Sequence, residues 1–158
     1  AVLLVNIHAS LLLRKARNFS AGDPAIIMGD FNFEPHSSSY ALVQSGGSVQ
    51  AAAASAAHSQ ELSGLLQHFP LPPFPHGLES AYRAFHGKEP DFTTSPGAQS
   101  AAGPCTRTLD YVFYTPSNLR VSQCPALSQR WGWDVYTLPN AAEPSDHVPV
   151  SATFLLRQ

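Results

Sequence analysis

Residues 25–32, Ala25-Ile26-Ile27-Met28-Gly29-Asp30-Phe31-Asn32, run apolar for four positions and then turn abruptly to glycine, carboxylate and amide. A short apolar run bounded by turn signals has the pattern of a strand buried on both faces. Gly22-Asp23-Pro24 supplies the turn before it, and Gly29-Asp30 stops it. The first polar groups therefore stand at a strand end, where layered folds commonly carry their chemistry.

Working outward, Ala1 to Val5 is a second apolar run and reads as another buried strand, with Asn6 and His8 at its end. Ser10 to Phe19 reads as a short helix. Ser37 to Ser45 reads as a helix capped by Ser37 and stopped by Gly46-Gly47. Residues 48–57 are Ala-rich, a loop or weak helix, and Gln60 to Phe69, with Leu62, Leu65 and Leu66, reads as one more helix. Pro70 to Pro75 is a connector, and Ser95 to Pro104 a low-complexity loop. Three strand-like segments follow, Thr108 to Tyr114, Leu119 to Ser122 and Val148 to Leu156, and no internal repeat appears. The mixture predicts an α/β or α+β layered sandwich.

Composition narrows the class. With 158 residues, 44% of them hydrophobic, the chain is globular and the size of one ordinary domain. A net charge of −2 provides no sequence-wide basic field, so a small or locally contacted phosphate fits as well as a long polyanion. Cys105 and Cys124 make neither a disulfide framework nor a zinc spacing, which reads as an intracellular, reducing setting. No apolar run approaches the roughly 20 residues of a membrane span. The chain opens at Ala1 inside an apolar run, which reads as a truncated start with any targeting peptide outside it.

Four motifs stand out: Asn6-Ile7-His8, Gly29-Asp30-Phe31-Asn32 leading to Glu34-Pro35, Leu109-Asp110-Tyr111-Val112-Phe113, and Ser145-Asp146-His147. Singly, each has a bland explanation: a turn Asp or Asn beside glycine, a cap beside a surface histidine, a paired carboxylate near a strand edge. Together, at strand ends and in this order, they point to hydrolysis of a phosphate ester. That reaction needs an activated water, neutralised phosphate oxygens and a stabilised leaving group. A hard cation such as Mg²⁺, with Mn²⁺ as an alternative, takes oxygen ligands of the kind Asp30, Asn32 and Asp146 offer. Asp30 suits a proton acceptor for the water, Asp110 an orienting partner that keeps His147 charged against the phosphate, and His8 a donor to a phosphate oxygen. With no Cys or further His around this set, zinc is disfavoured.

The order of these motifs resembles the second half of the endonuclease/exonuclease/phosphatase superfamily, over about Val5 to Phe154. Glu79-Ser80-Ala81-Tyr82, Glu89-Pro90-Asp91-Phe92-Thr93-Thr94 and Thr108 to Phe113 are similar to its deadenylase branch. Glu34-Pro35, Thr93-Thr94 and Cys105, five residues before Asp110, are similar to the nocturnin side of that branch. The resemblance implies a four-layer α/β sandwich of the deoxyribonuclease-I-like type. Residues 1–158 would be the C-terminal part of that single domain, its N-terminal half and the metal-binding Glu there being absent. It also implies catalytic roles for His8, Asp30, Asn32, Asp110, Asp146 and His147, metal contacts from Asp30, Asn32 and Asp146, and substrate contacts from His8, Asn32 and Thr94.

The implied activity is a Mg²⁺-dependent nucleotide 2′-phosphatase or a 3′-exoribonuclease on adenine-rich RNA, with no membrane or partner protein indicated. Two features depart from the branch: Ser10 stands where it has a Lys two residues after the matching His, and residues 95–104 contain no Arg or Lys. The alternatives are a catalytically silent binding module, and a DNA-repair or inositol-phosphate member of the same superfamily. A half-sandwich would also leave one sheet face and edge uncovered.

Overall fold

The computed structural model describes residues 2–52, 62, 74–95, 106–127, 138–140 and 144–157. Most of the helix expected over 60–69, the connector to Pro73, the loop over 96–104 and Cys105 lie outside the described residues.

The first element corrects the reading of the N-terminus. Helix α1 runs from Val2 to Ser20, so the apolar run at 2–5 is its opening turns and not a strand. A short apolar run does not distinguish strand from helix, and no Gly or Pro interrupts 2–20, so helix extends through it. Asn6, Ala9, Ser10 and Leu13 form its buried face at helical spacing. The helix ends where Ala21 and Gly22 take positive φ.

Strand β1 (Ile26–Asp30) follows, but it continues through Gly29 and Asp30, which pair with Tyr111 and Asp110, instead of stopping before them. Helix α2 (Ser38–Gln44) is capped by Ser37, whose Oγ accepts from Tyr40 N at 3.2 Å. A short α3 (Val49–Ala52) precedes β2 (Glu79–Ser80) and α4 (Ala81–His86), then come β3 (Asp110–Tyr114), β4 (Leu119–Gln123) and β5 (Thr153–Leu156). β1, β3 and β2 form one antiparallel sheet in that order, and β4 pairs with β5 in a second. Only the last four residues of the strand expected over 148–156 are strand. Val148 N donates instead to Thr93 O at 2.8 Å, and Pro149 has no N–H for a ladder.

β3 is the central strand and its alternation builds both cores. Tyr111 and Phe113 face α1 and α2, packing with Leu13, Phe33, Tyr40 and Val43. Val112 and Tyr114 face the other way, toward Tyr82, Leu119, Leu138 and Val148. In this second core burial pushes the Cys124 thiol up to about 11, which keeps it protonated and unreactive at neutral pH.

β1 is less enclosed than its apolar sequence predicts. It lies at the edge of its sheet among the described residues, with Ile26 47% and Met28 64% exposed. Val2, Leu3 and Leu4 on α1 are also exposed. No helix among the described residues is long and apolar enough to cross a membrane.

Candidate active site

The site lies at the end of the β1–β3 ladder, where Asp30 and Asp110 are cross-strand partners. Two carboxylates facing each other repel unless each has its own partners. The structure supplies different ones. Asp30 Oδ1 accepts from Asn32 N at 2.8 Å, and Oδ2 from Asn32 Nδ2 at 3.0 Å. Asn32 reaches back in this way because its φ is +53°, a left-handed conformation that asparagine tolerates.

Asp110 is the more buried of the pair and is held from inside. Its Oδ2 accepts from Thr93 Oγ1 at 2.7 Å and lies 2.9 Å from His147 Nδ1. The Thr93 hydroxyl accepts from Leu109 N at 2.9 Å and Asp110 N at 3.0 Å. A hydroxyl has one hydrogen and two lone pairs, so with both lone pairs taken its hydrogen is directed onto Asp110. Thr93 is fully buried and acts through Asp110, as a positioning residue. The sequence reading singled out Thr94 instead. Thr94 is 3% exposed, and its backbone bridges Arg107 on one side and His147 on the other.

His147 turns Nδ1 to Asp110, and a third of its side chain remains exposed. Burial lowers its pKa. The hydrogen bond to Asp110, with the negative charges of Asp110, Asp30 and Asp146, outweighs burial and holds the imidazole above its ordinary value. A raised value means that the pair stabilises the fold below the ordinary imidazole pKa and that this contribution is lost as pH rises through the raised one. Asp146 is half-buried, and its carbonyl accepts from Ser95 N at 2.8 Å. The 93–95 segment thus aligns Asp146 and His147 beside Asp110.

Two of the expected motif residues sit elsewhere than foreseen. His8 is not at a strand end; it is exposed on α1 and lines a groove of about 350 Å³ with Leu12, Met28, Asp30 and Asn32. Asn6 is structural. It is fully buried, with Nδ2 donating to Ser38 Oγ at 3.1 Å and Oδ1 accepting from Ser39 Oγ, and so ties α1 to α2.

Two further residues brace the site. The Tyr111 hydroxyl lies 2.8 Å from the carbonyl oxygens of both Phe33 and Thr108, joining the loops that follow Asp30 and precede Asp110. Glu89 accepts from Tyr40 and from Ser80 Oγ, which anchors the start of the 89–95 segment to α2 and β2. Burial raises the Glu89 carboxyl.

For a cation, the site offers carboxylates on Asp30 and Asp146 and an amide on Asn32. Among the described residues no three His, Cys, Asp or Glu side chains gather as a metal cluster. That donor set fits Mg²⁺ better than a closed all-protein metal site, because Mg²⁺ is commonly held by one or two carboxylates together with water and substrate phosphate.

Residues 4–147 match the Endonuclease/Exonuclease/phosphatase family, and the chain belongs to it. Among proteins it resembles are Carbon catabolite repressor protein 4 homolog 4 of Arabidopsis thaliana, 32% identical over 143 residues, and the CCR4-Not complex 3′-5′-exoribonuclease subunit Ccr4 of Mycosarcoma maydis, 28% identical over 138. These alignments take in 89% and 85% of this chain but 29% and 18% of the relatives, so the chain spans less than a third of their length. It shares its fold with the human Nocturnin catalytic domain, solved with a bound sulfate anion. The TM-score is 0.59 and the identity 23%, over 98% of this chain and 42% of that one. The fold is therefore the deoxyribonuclease-I-like α/β type.

Proposed function

We propose that the chain is a Mg²⁺-dependent phosphate-ester hydrolase acting on a nucleotide or on adenine-rich RNA. The observation that carries this reading is the last rung of the β1–β3 ladder. There, one carboxylate is bound to an amide and its neighbour to an imidazole, two partners suited to a phosphate and its attacking water. Asn32 and His147 bind phosphate oxygens, His147 being held to the task by Asp110 and, behind it, Thr93. Asp30 accepts a proton from the attacking water. His8 approaches from α1 across the shared groove. Mg²⁺ would be held by Asp30, Asn32 and Asp146; when bound it neutralises phosphate charge and acidifies water. The resemblance to an exoribonuclease subunit supports the RNA substrate, and the Thr93-Thr94 pair the nucleotide.

A second reading is a module that binds phosphate without turning it over. The lack of a three-ligand cluster among the described residues favours it. An assay with NADPH and a short oligo(A), each with Mg²⁺ and with EDTA, separates the two. The first reading expects phosphate release from NADPH or shortening of oligo(A). The activity should vanish with EDTA and fall on the order of 10³-fold in Asp30→Ala. No turnover of either substrate, or turnover indifferent to Asp30, rules it out.

A further inference from the structure

Residues 89–95 run past the site as a strap whose far end is fixed through backbone. Thr93 N donates to Arg107 O at 2.7 Å, and Thr94 N to the same oxygen at 2.9 Å. Ser95 N donates to Asp146 O, and Val148 N to Thr93 O, each at 2.8 Å. His147 therefore stands between two residues whose backbones are bound to the strap, and its imidazole follows the strap's position. Side chains hold the near end. Thr108 Oγ1 donates to Pro90 O at 2.7 Å, and the Glu89 carboxylate is clasped by two hydroxyls, Tyr40 at Oε1 and Ser80 at Oε2.

One of those hydroxyls belongs to the other half of the site. The Tyr40 ring lies 6.4 Å, centroid to centroid, from Phe33, the residue after Asn32, and 5.5 Å from Tyr111. Gln44 Nε2 donates to the Tyr40 hydroxyl at 3.2 Å, which leaves the phenolic hydrogen for Glu89. The phenol–carboxylate bond thus joins the aromatic cluster behind the Asp30–Asn32 turn to the strap that carries Thr93 and brackets His147. A hydrogen bond to an ionised group is among the stronger single links a protein can make. A half-buried carboxylate without such donors would be costly, so the two hydroxyls also fix where Glu89 can lie.

We propose that Glu89 is a positioning residue of the site: by holding Tyr40 it keeps the strap, and with it Thr93 and His147, in place against the Asp30–Asn32 turn. The inference rests on the phosphate site proposed above and adds to it a residue that touches no substrate and sets the alignment of the two halves.

Native-state hydrogen exchange of the chain and its NMR titration with inorganic phosphate in Mg²⁺ test this together. Glu89→Ala should speed exchange at the amides of Thr93, Thr94, Ser95 and Val148 by about tenfold more than at those of the β1–β3 ladder. It should also weaken phosphate about tenfold, the worth of one charge-assisted contact. Glu89→Gln, which still offers Tyr40 an oxygen, should recover most of both, and Tyr40→Phe should reproduce the loss. Leu13→Ala, a buried change in the first core, should speed exchange without singling out the strap and leave phosphate affinity as in the wild type. Strap and ladder amides that accelerate equally in Glu89→Ala, or a phosphate affinity that it leaves unchanged, overturn the assignment while the proposed hydrolase stands. If phosphate perturbs neither Asn32 nor His147 in the wild type, the phosphate site fails, and the exchange pattern alone decides whether Glu89 holds the strap.

Discussion

Asp110→Asn is expected to lower phosphate-ester turnover by on the order of 10³-fold while changing KM little. The substitution keeps the side chain's shape, and the Thr93 hydroxyl still has an oxygen to meet. What it removes is the charge facing His147 Nδ1 at 2.9 Å. Without that charge the imidazole loses the partner that raises its pKa and orients its ring, and losses of this size follow when an orienting carboxylate is neutralised. A loss confined to kcat marks an interaction made with the transition state. An independent readout is the imidazole titration by NMR in metal-free buffer. There His147, raised in the wild type mainly by Asp110, should fall toward the ordinary value. Turnover within a few-fold of wild type and an unmoved titration would remove Asp110 from this role.

Phe113→Ala is expected to cost about 3–5 kcal/mol of stability. Phe113 is fully buried on β3, with ring centroids 5.1 Å from Tyr111, 5.2 Å from Phe31 and 5.7 Å from Tyr40. Its removal leaves a void in the cluster that joins the sheet to α2. Against a typical total of about 5–15 kcal/mol, that loss approaches the unfolding threshold. Met28→Ala on the neighbouring strand is the control: Met28 is 64% exposed and should change stability by no more than about 0.5 kcal/mol. Urea denaturation of the two variants should differ widely in midpoint; similar midpoints would contradict the assigned core.

What was legible in the sequence was local. The strand core at Ile26 to Met28, the Ser37 cap and the acid opening β3 are each specified by residues next to them in the chain, and all three are in place, whereas the stop expected at Gly29-Asp30 gives way to a ladder that continues through Asp30. Also in place is the contact of Asp110 with His147, two side chains whose chemistry suits such a pair. The misses were tertiary. Val2 to Val5 satisfies strand and helix alike, and the uninterrupted run to Ser20 resolves it as helix. The apolar residues of β1 predict burial on both faces, yet nothing among the described residues covers its outer edge. Thr93 looked like one half of a family signature. Its role depends on two backbone N–H groups sixteen and seventeen residues away that fix the direction of its hydrogen. Arg107 carried no local signal, and its place beside the site follows from bridges to Thr94.

The account stands on Asp30 with Asn32, and Asp110 with His147, serving one phosphate. The direct measurement is a titration of the chain with inorganic phosphate in Mg²⁺, followed by NMR at the Asn32 side-chain amide and the His147 imidazole together. Both should shift along a single saturation curve, and Asp30→Ala should weaken both. Movement of one without the other, or two distinct dissociation constants, would contradict a single site.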